Sequence, residues 1–325
     1  MLILSEKQVQ ALIDIDELIA ALERAHIQYS TGKAVMPVRL VVPLPQIDGR
    51  ITSMPGFLNE DQALGMKVVT YFQNNPKQNL PSILATIMLF SPESGKMIAV
   101  MDGSYITAIR TACASAMATK VLSNPTASVL GVLGAGVQAK AHITALSRVR
   151  NLHSIKIYSP SGTSAGRVKQ ELESELRIDI EVAKSAEEAV RGADLIVTAT
   201  TAKEPILQAE WLKPGAHINA VGSHRPDLRE LDGATLARSN VFVDSRDAIM
   251  AECGDVLLAL AEKSITADHV QAEIGEVLAA IKPGRTKTDE LTIYKSVGIA
   301  IQDVAAAQLV YQKALEKKVG TNVTL

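Results

Sequence analysis

The sequence predicts two domains of different kinds: an α/β domain built on a parallel sheet wound on both faces, and an α+β domain with an antiparallel sheet. Three observations predict this. From about Ala127 the chain alternates strand and helix, whereas before about Gly103 short β-rich runs follow one another around turn signals. A glycine turn, Gly134-Ala135-Gly136, stands where the first strand of the alternating part hands over to a helix. The length, 325 residues, exceeds what one core ordinarily supports.

The elements justify that division in order. Ser5 to Ser30 has amphipathic helical periodicity, with Asp14 and Asp16 as candidate N-caps ahead of Leu18-Ile19-Ala20-Ala21-Leu22. Val38 to Leu44 is β-like and ends near an Asp48-Gly49 turn signal. Ala63 to Tyr71 reads as another strand. Ser82 to Phe90 and Lys96 to Met101 flank Ser91-Pro92-Glu93-Ser94-Gly95, a hairpin pattern. Ser104 to Leu122 reads as a long helix of small and apolar residues. Strands then follow at Ser128–Leu133, Ser154–Tyr158, Ile178–Val182, Asp194–Thr200, His217–Val221 and Asn240–Asp244. Helices are expected at Gln138–Val149 and Thr163–Leu176, and Ser185-Ala186-Glu187-Glu188 has capping-box spacing. The last apolar helix, Val297 to Leu315, is expected to return to the first domain. The expected boundaries are 1–118 together with 299–325, and 119–298.

Composition narrows the function classes. Hydrophobic residues make up 47% and charged residues 21%, a globular balance. Aromatics are only 3%, so the core must be aliphatic. A net charge of −2 offers no basic excess for a nucleic-acid backbone or a membrane surface. The N-terminus lacks a basic segment followed by an apolar run, and no apolar stretch reaches the roughly 20 residues a membrane span needs. Cys113 and Cys253 lie far apart, outside any CxxC or metal-type spacing, so no metal site is expected and a reducing, cytoplasmic compartment fits.

Gly134-Ala135-Gly136-Val137-Gln138-Ala139 has the physical requirements of a dinucleotide-phosphate turn, which makes the α/β domain Rossmann-type. Gly134 permits the tight turn, Gly136 lets a pyrophosphate approach the backbone, and Ala139 is small enough for helix and sheet to pack. The amides at the helix start, with its dipole, attract phosphate. The end of the second strand bears on the choice of cofactor, since a carboxylate there would bind the adenosine ribose 2′-hydroxyl. Ser159-Pro160-Ser161-Gly162-Thr163 stands there instead, offering hydroxyls and no carboxylate. The pattern favours NADP(H) and leaves NAD(H) possible, with Arg167 available further along.

Three cations stand in apolar surroundings: Arg39, Lys67 and Arg110. A buried cation is costly unless paired, and no acid lies at helical spacing from Arg110. An external anion such as a substrate carboxylate would satisfy it, and the arginine fork can bind two carboxylate oxygens at once. Lys67 in an apolar site loses proton affinity, which suits acid–base work. Each of the three also reads as a strand-edge or snorkelling cation. His224, after the fifth strand, either faces a nicotinamide or ends a loop. Asp244 and Asp255 read as helix caps. His26, His142, His153 and His269 are expected on the surface, and His217 in a structural role.

Taken together, these segments resemble the ornithine cyclodeaminase/mu-crystallin family across essentially the whole chain. The resemblance rests on Met36-Pro37-Val38-Arg39, the Lys67 strand, Val100-Met101-Asp102-Gly103, Ile106-Thr107-Ala108-Ile109-Arg110-Thr111-Ala112 and the glycine turn. Downstream it includes Pro214 to Gly222, Gly254-Asp255-Val256 and Lys295-Ser296-Val297-Gly298. It implies a homodimer joined through the α+β, substrate-binding domain. Arg39, Lys67 and Arg110 would hold the substrate, with Lys67 and His224 as the catalytic candidates. Ser82, Arg110, Thr111, Val137, Gln138, Ser159, Ser161, Thr163, Thr198, Val221, Gly222 and Ser296 would accompany the glycine turn around the cofactor. Ornithine cyclodeaminases carry an aspartate in the loop after Asn-Ala-Val-Gly, where this chain has His224. The expectation is therefore an NAD(P)H-dependent reductase of cyclic imino acids, with a small carboxylate-bearing imino or amino acid as partner. Ornithine cyclodeaminase, an alanine-dehydrogenase-like enzyme and a non-enzymatic NADP-dependent binder are the alternatives.

Overall fold

A computed structural model describes residues 1–324. They form two compact units, residues 1–111 with those from 299 onward, and residues 112–298. The division after Thr111 falls inside the helix Ser104–Leu122, rather than after residue 118.

The first unit is built on an eight-stranded sheet. Its order is Thr321–Asn322, Leu2–Leu4, Met97–Asp102, Ile83–Phe90, Ala63–Phe72, Gly49–Leu58 and Ala34–Val35, with Leu40–Leu44 also pairing Gly49–Leu58. All pairs are antiparallel except Leu2–Leu4 beside Met97–Asp102. Gly49–Leu58 is a strand that the sequence did not announce; it contains Pro55 and Gly56, residue types that ordinarily interrupt strands. The structure shows why Pro55 is tolerated. Leu40–Leu44 pairs residues 49–53 and Ala34–Val35 pairs residues 57–58, so Pro55, which has no amide hydrogen, falls in the gap.

The helices Ile15–Ser30 and Ala300–Lys317 pack on this sheet and on each other. Asp14 caps the first, its side chain accepting from the amide of Glu17. Two-residue alternation along Ala63–Phe72 puts Ala63, Gly65 and Lys67 on the buried face. Lys67 is thereby turned inward by the same periodicity that buries its apolar neighbours. Gly65 lets the helix and sheet approach: a Cβ there would lie 2.9 Å from the Met88 carbonyl oxygen, 2.9 Å from Leu89 Cδ2 and 3.3 Å from Val304 Cγ2.

The second unit holds an eight-stranded sheet in which every pair is parallel. Its order is Asp179–Val182, Ser154–Tyr158, Val129–Leu133, Leu195–Thr198, His217–Ala220, Leu291–Lys295, Ser239–Val243 and Val270–Glu273. The chain works outward from Val129–Leu133 in one direction, then returns to start Leu195–Thr198 on its other side. That reversal is the topological switch point at which such sheets bind ligands. Leu291–Lys295 and Val270–Glu273 were missed in the sequence. The latter, Val-Gln-Ala-Glu, is short and half polar; the former follows Asp289-Glu290 and ends in a buried lysine.

Replacing Gly65 with alanine should cost about 1–3 kcal/mol, the usual range for overpacking a filled core. Urea unfolding of Gly65→Ala against the parent protein measures this, and an unchanged midpoint would contradict the packing described.

Candidate active site

Lys67, Arg110 and Asp303 form one buried cluster in the first unit. Lys67 is 1% exposed, Arg110 4% and Asp303 0%. The Asp303 carboxylate spans the two cations: Oδ2 lies 2.7 Å from Lys67 Nζ and Oδ1 accepts from Arg110 Nε at 2.9 Å. Arg110 Nη1 donates to Gln302 Oε1 at 2.5 Å. Gln302 Nε2 then lies 3.0 Å from Nε2 of His26, which is itself buried. Among the described residues Arg110 Nη2 has no hydrogen-bond partner, so this end of the fork is left for another acceptor.

The sequence offered no acid at helical spacing from Arg110 and pointed to an external anion, but the protein supplies an acid itself. The partner of Arg110 is Asp303, 193 residues away in sequence and invisible to any local spacing rule. The one signal was an acid inside Ile301-Gln302-Asp303-Val304-Ala305-Ala306-Ala307, an otherwise apolar run.

Burial pulls the Lys67 pKa down to about 7; Asp303 opposes the fall, while Arg110 and Arg39 add to it. Arg39 is half-buried, just ahead of the strand Leu40–Leu44, and near enough for its charge to act on Lys67. Burial, then the Arg110 charge, lowers the His26 pKa to about 3, so this imidazole is neutral. His26 and His142 were expected on the surface and are fully buried. His142 is satisfied at both nitrogens, by the Gln138 carbonyl at 2.7 Å and Ser115 Oγ at 2.9 Å.

The second unit gathers a different set at the carboxyl ends of its strands. Gly134 follows Val129–Leu133 at φ +112, and a Cβ there would lie 2.5 Å from the Ala199 carbonyl oxygen. Gly136 is the N-cap of the helix Val137–Val149, and a Cβ there would meet nothing within 4 Å. Val137 is 72% exposed beside that open space, and Ala139 is buried where helix and sheet meet. Gln138 Oε1 and Ser296 Oγ are buried and have no hydrogen-bond partner. Ser159 is buried and its hydroxyl lies 2.9 Å from Ser164 Oγ, while Ser161 and Thr163 are exposed.

Glu230 ties this region together, and the sequence reading passed over it. Its fully buried carboxylate accepts from Thr198 Oγ1 at 2.7 Å, Gly222 N at 2.8 Å, Thr200 N at 2.6 Å and Thr200 Oγ1 at 2.8 Å. Burial raises its pKa. Asp255 accepts from the amides of Glu230 and Leu231 and pairs with Lys295 Nζ at 3.0 Å, both side chains being wholly buried. Burial works against the Lys295 charge, but the Asp255 and Glu230 carboxylates outweigh it and raise its pKa. Asp255 is therefore not the helix cap that the sequence suggested. Neither is Asp244: Ser245 caps Arg246–Glu252, and Asp244 Oδ2 accepts from the amides of Val297 and Gly298 next to Ser296.

The remaining expected residues are placed as follows. Val221 is buried, its amide donating to the Thr198 carbonyl. His224 is half-buried, with Nδ1 turned back to the Gly222 carbonyl at 2.9 Å. Ser82 is half-buried just before Ile83–Phe90, and Thr111 is buried with its hydroxyl donating to the Thr107 carbonyl. Lys67 and Arg110 come together in the first unit; His224 belongs to the second.

A parallel sheet with a phosphate-type glycine turn, and a separate buried cluster of two cations around one carboxylate, define the class of dinucleotide-dependent enzymes. A family model described as the ornithine cyclodeaminase/mu-crystallin family matches residues 1–318. The chain is 42% identical over 297 residues to the ketimine reductase mu-crystallin of Mus musculus, spanning 90% of this chain and 91% of that protein. Among solved structures, Thermococcus litoralis Δ1-pyrroline-2-carboxylate reductase in complex with NADH and L-proline superposes with a TM-score of 0.97 at 40% identity, covering 99% of this chain and 100% of that one. An archaeal alanine dehydrogenase dimer with bound NAD gives a TM-score of 0.95 at 37% identity, covering 100% of this chain and 99% of that one. The chain belongs to the ornithine cyclodeaminase/mu-crystallin family.

Lys295→Met should destabilise the protein by about 3–5 kcal/mol, because it leaves buried carboxylates without their cation. Denaturant unfolding measures this, and a loss below about 1 kcal/mol would show that the pair is dispensable.

Proposed function

We propose that this protein reduces cyclic imino acids, Δ1-pyrroline-2-carboxylate and its six-membered homologue, to L-proline and L-pipecolate at the expense of NAD(P)H. The observation that carries the reading is Lys67: a buried amine with a pKa of about 7, beside Arg110 and within reach of the Arg39 charge. Kinship supports it, since a structure 40% identical to this chain is a Δ1-pyrroline-2-carboxylate reductase with NADH and L-proline bound.

The open space at Gly136, the helix start at Val137 and the unpartnered Gln138 Oε1 and Ser296 Oγ fit a pyridine dinucleotide. Gly134, Gly136, Val137 and Gln138 would hold the pyrophosphate, and Thr198, Val221, Gly222 and Ser296 the nicotinamide side. The bound cofactor supplies a hydride to the imine carbon. The exposed Ser161 and Thr163 hydroxyls, with no carboxylate among residues 159–163, favour NADP(H) over NAD(H).

The protein's own groups supply the rest. Arg110, through Nη2, and Arg39 bind the substrate carboxylate. This fixes the ring and places its nitrogen for proton transfer. Lys67 Nζ gives a proton to the imine nitrogen, so the product leaves as an amine and Lys67 is left neutral until solvent restores its proton. His224 flanks the nicotinamide side, its Nδ1 held by Gly222. The same reading makes the chain a homodimer. Leu40, Val41, Val42, Ile83 and Leu84 leave apolar side chains exposed on the first unit's sheet, and the archaeal alanine dehydrogenase is a dimer.

The reading is tested by cofactor oxidation with Δ1-pyrroline-2-carboxylate, Δ1-piperideine-2-carboxylate and pyruvate plus ammonium, each with NADPH and NADH. Turnover with neither cyclic imino acid would refute it, and a lower KM for NADH would reverse the cofactor preference. Lys67→Ala should lose about 10²–10⁴-fold in kcat, the range for general acid catalysis, while cofactor affinity is kept. Because Lys67 must carry its proton to give it, wild-type kcat should be fullest below about pH 7 and decline above it. A kcat still rising through that range would exclude an acid role for Lys67.

A further inference from the structure

The Lys67–Arg110 cluster contains two groups that no reading of the sequence singled out, Asp303 and Gln302, and one that it placed on the surface, His26. Their hydrogen-bond polarity can be worked out from one end. Arg110 only donates, so the Gln302 atom 2.5 Å from Nη1 must be the amide oxygen. That oxygen also faces the Ile299 amide at 3.5 Å. Gln302 Nε2 therefore donates to His26 Nε2, which must be bare, and the imidazole carries its proton on Nδ1. A neutral His26 is what burial and the Arg110 charge enforce. The Gln302 amide thus has one permitted orientation, and with it Arg110 Nη1 has one place.

Asp303 governs the other edge. It comes from the first turn of Ala300–Lys317, a setting that favours an anion. The charged groups facing Lys67 are Asp303 on that helix, Arg110 on Ser104–Leu122 and Arg39 ahead of Leu40–Leu44. Asp303 is the single anion among them, and its two oxygens are divided between the two buried cations.

We propose that Asp303 is a positioning residue for imino-acid reduction: one carboxylate fixes both the place of the Lys67 ammonium and the angle at which Arg110 meets the substrate carboxylate. This rests on the reading of Lys67 as the proton donor. Without the Asp303 charge, Lys67 sits in a dry site with two cations for neighbours and no anion. It then gives up its proton at lower pH, and the form able to donate becomes scarce.

The test compares wild type with Asp303→Asn, Asp303→Glu and Lys67→Met. NADPH-oxidation kinetics with Δ1-pyrroline-2-carboxylate are run from about pH 6 to about pH 9, and NADPH binding is followed by nucleotide fluorescence. Asp303→Asn should move the alkaline limb of kcat down by about one pH unit or more, lowering kcat near neutrality about tenfold, with NADPH affinity unchanged. Asp303→Glu keeps the charge and displaces it by one methylene, so the limb should return to its wild-type place while kcat/KM stays several-fold below wild type. A role confined to folding would move NADPH affinity as well and would leave the limb in place. Should Asp303→Asn fail to fold, Asp303→Glu decides alone: wild-type kcat/KM would overturn the proposal. A wild-type limb and kcat in Asp303→Asn beside an inactive Lys67→Met would sink the role of Asp303 only. Near-full turnover by Lys67→Met would sink the reading of Lys67 itself.

Discussion

The first unit depends on one buried carboxylate. Two cations stand within its core, and an unpaired charge there would cost several kcal/mol. Asp303 answers both, Lys67 at 2.7 Å and Arg110 at 2.9 Å, from the helix that packs across the strands Gly49–Leu58 and Ala63–Phe72. That packing requires Gly65, because a side chain there would meet Met88, Leu89 and Val304. The strand period, the glycine and the helix register are therefore parts of one arrangement, whose product is an amine that titrates near neutrality.

The second unit solves the same problem with a different charge balance. Lys295 is buried like Lys67, yet it faces Asp255 and Glu230 rather than other cations, and its pKa moves up instead of down. The contrast is informative because desolvation acts on both in the same direction. What differs is the sign of the neighbours. Lys67 is left able to exchange a proton, and Lys295 is locked as a structural cation. Lysine burial alone would not tell them apart.

Legibility in the sequence follows the range of the interaction. The parallel sheet and its glycine turn could be read because strand, turn and helix are consecutive and the residues do their work within a few positions. The hairpin around Ser91–Gly95 and the cap at Asp14 were legible for the same reason. Lys67 and Arg110 stood out as charges in apolar runs, but the acid that pairs them lies on the last helix, and no spacing rule reaches it. His26 and His142 were misplaced because no local spacing signals the remote Gln302 and Ser115 that meet them. Leu291–Lys295 escaped because its final lysine and preceding acids hide a strand whose five residues are all buried. Glu230 reads as an ordinary loop acid until Thr198, Thr200 and Gly222 are seen converging on it.

That convergence has a consequence for how the loops behave. The segments after Leu195–Thr198 and after His217–Ala220 are fastened to the two oxygens of one carboxylate, Thr200 to Oε1 and Gly222 to Oε2, with a Cβ at Gly222 excluded by the Thr200 carbonyl at 2.2 Å. Each loop is also held separately, Ala199 N by the Leu133 carbonyl and Ser223 Oγ by the Leu228 carbonyl, so the shared carboxylate ties together two loops that are already anchored. The carboxylate therefore sets the mutual spacing of the two rims, and removing it would release both at once.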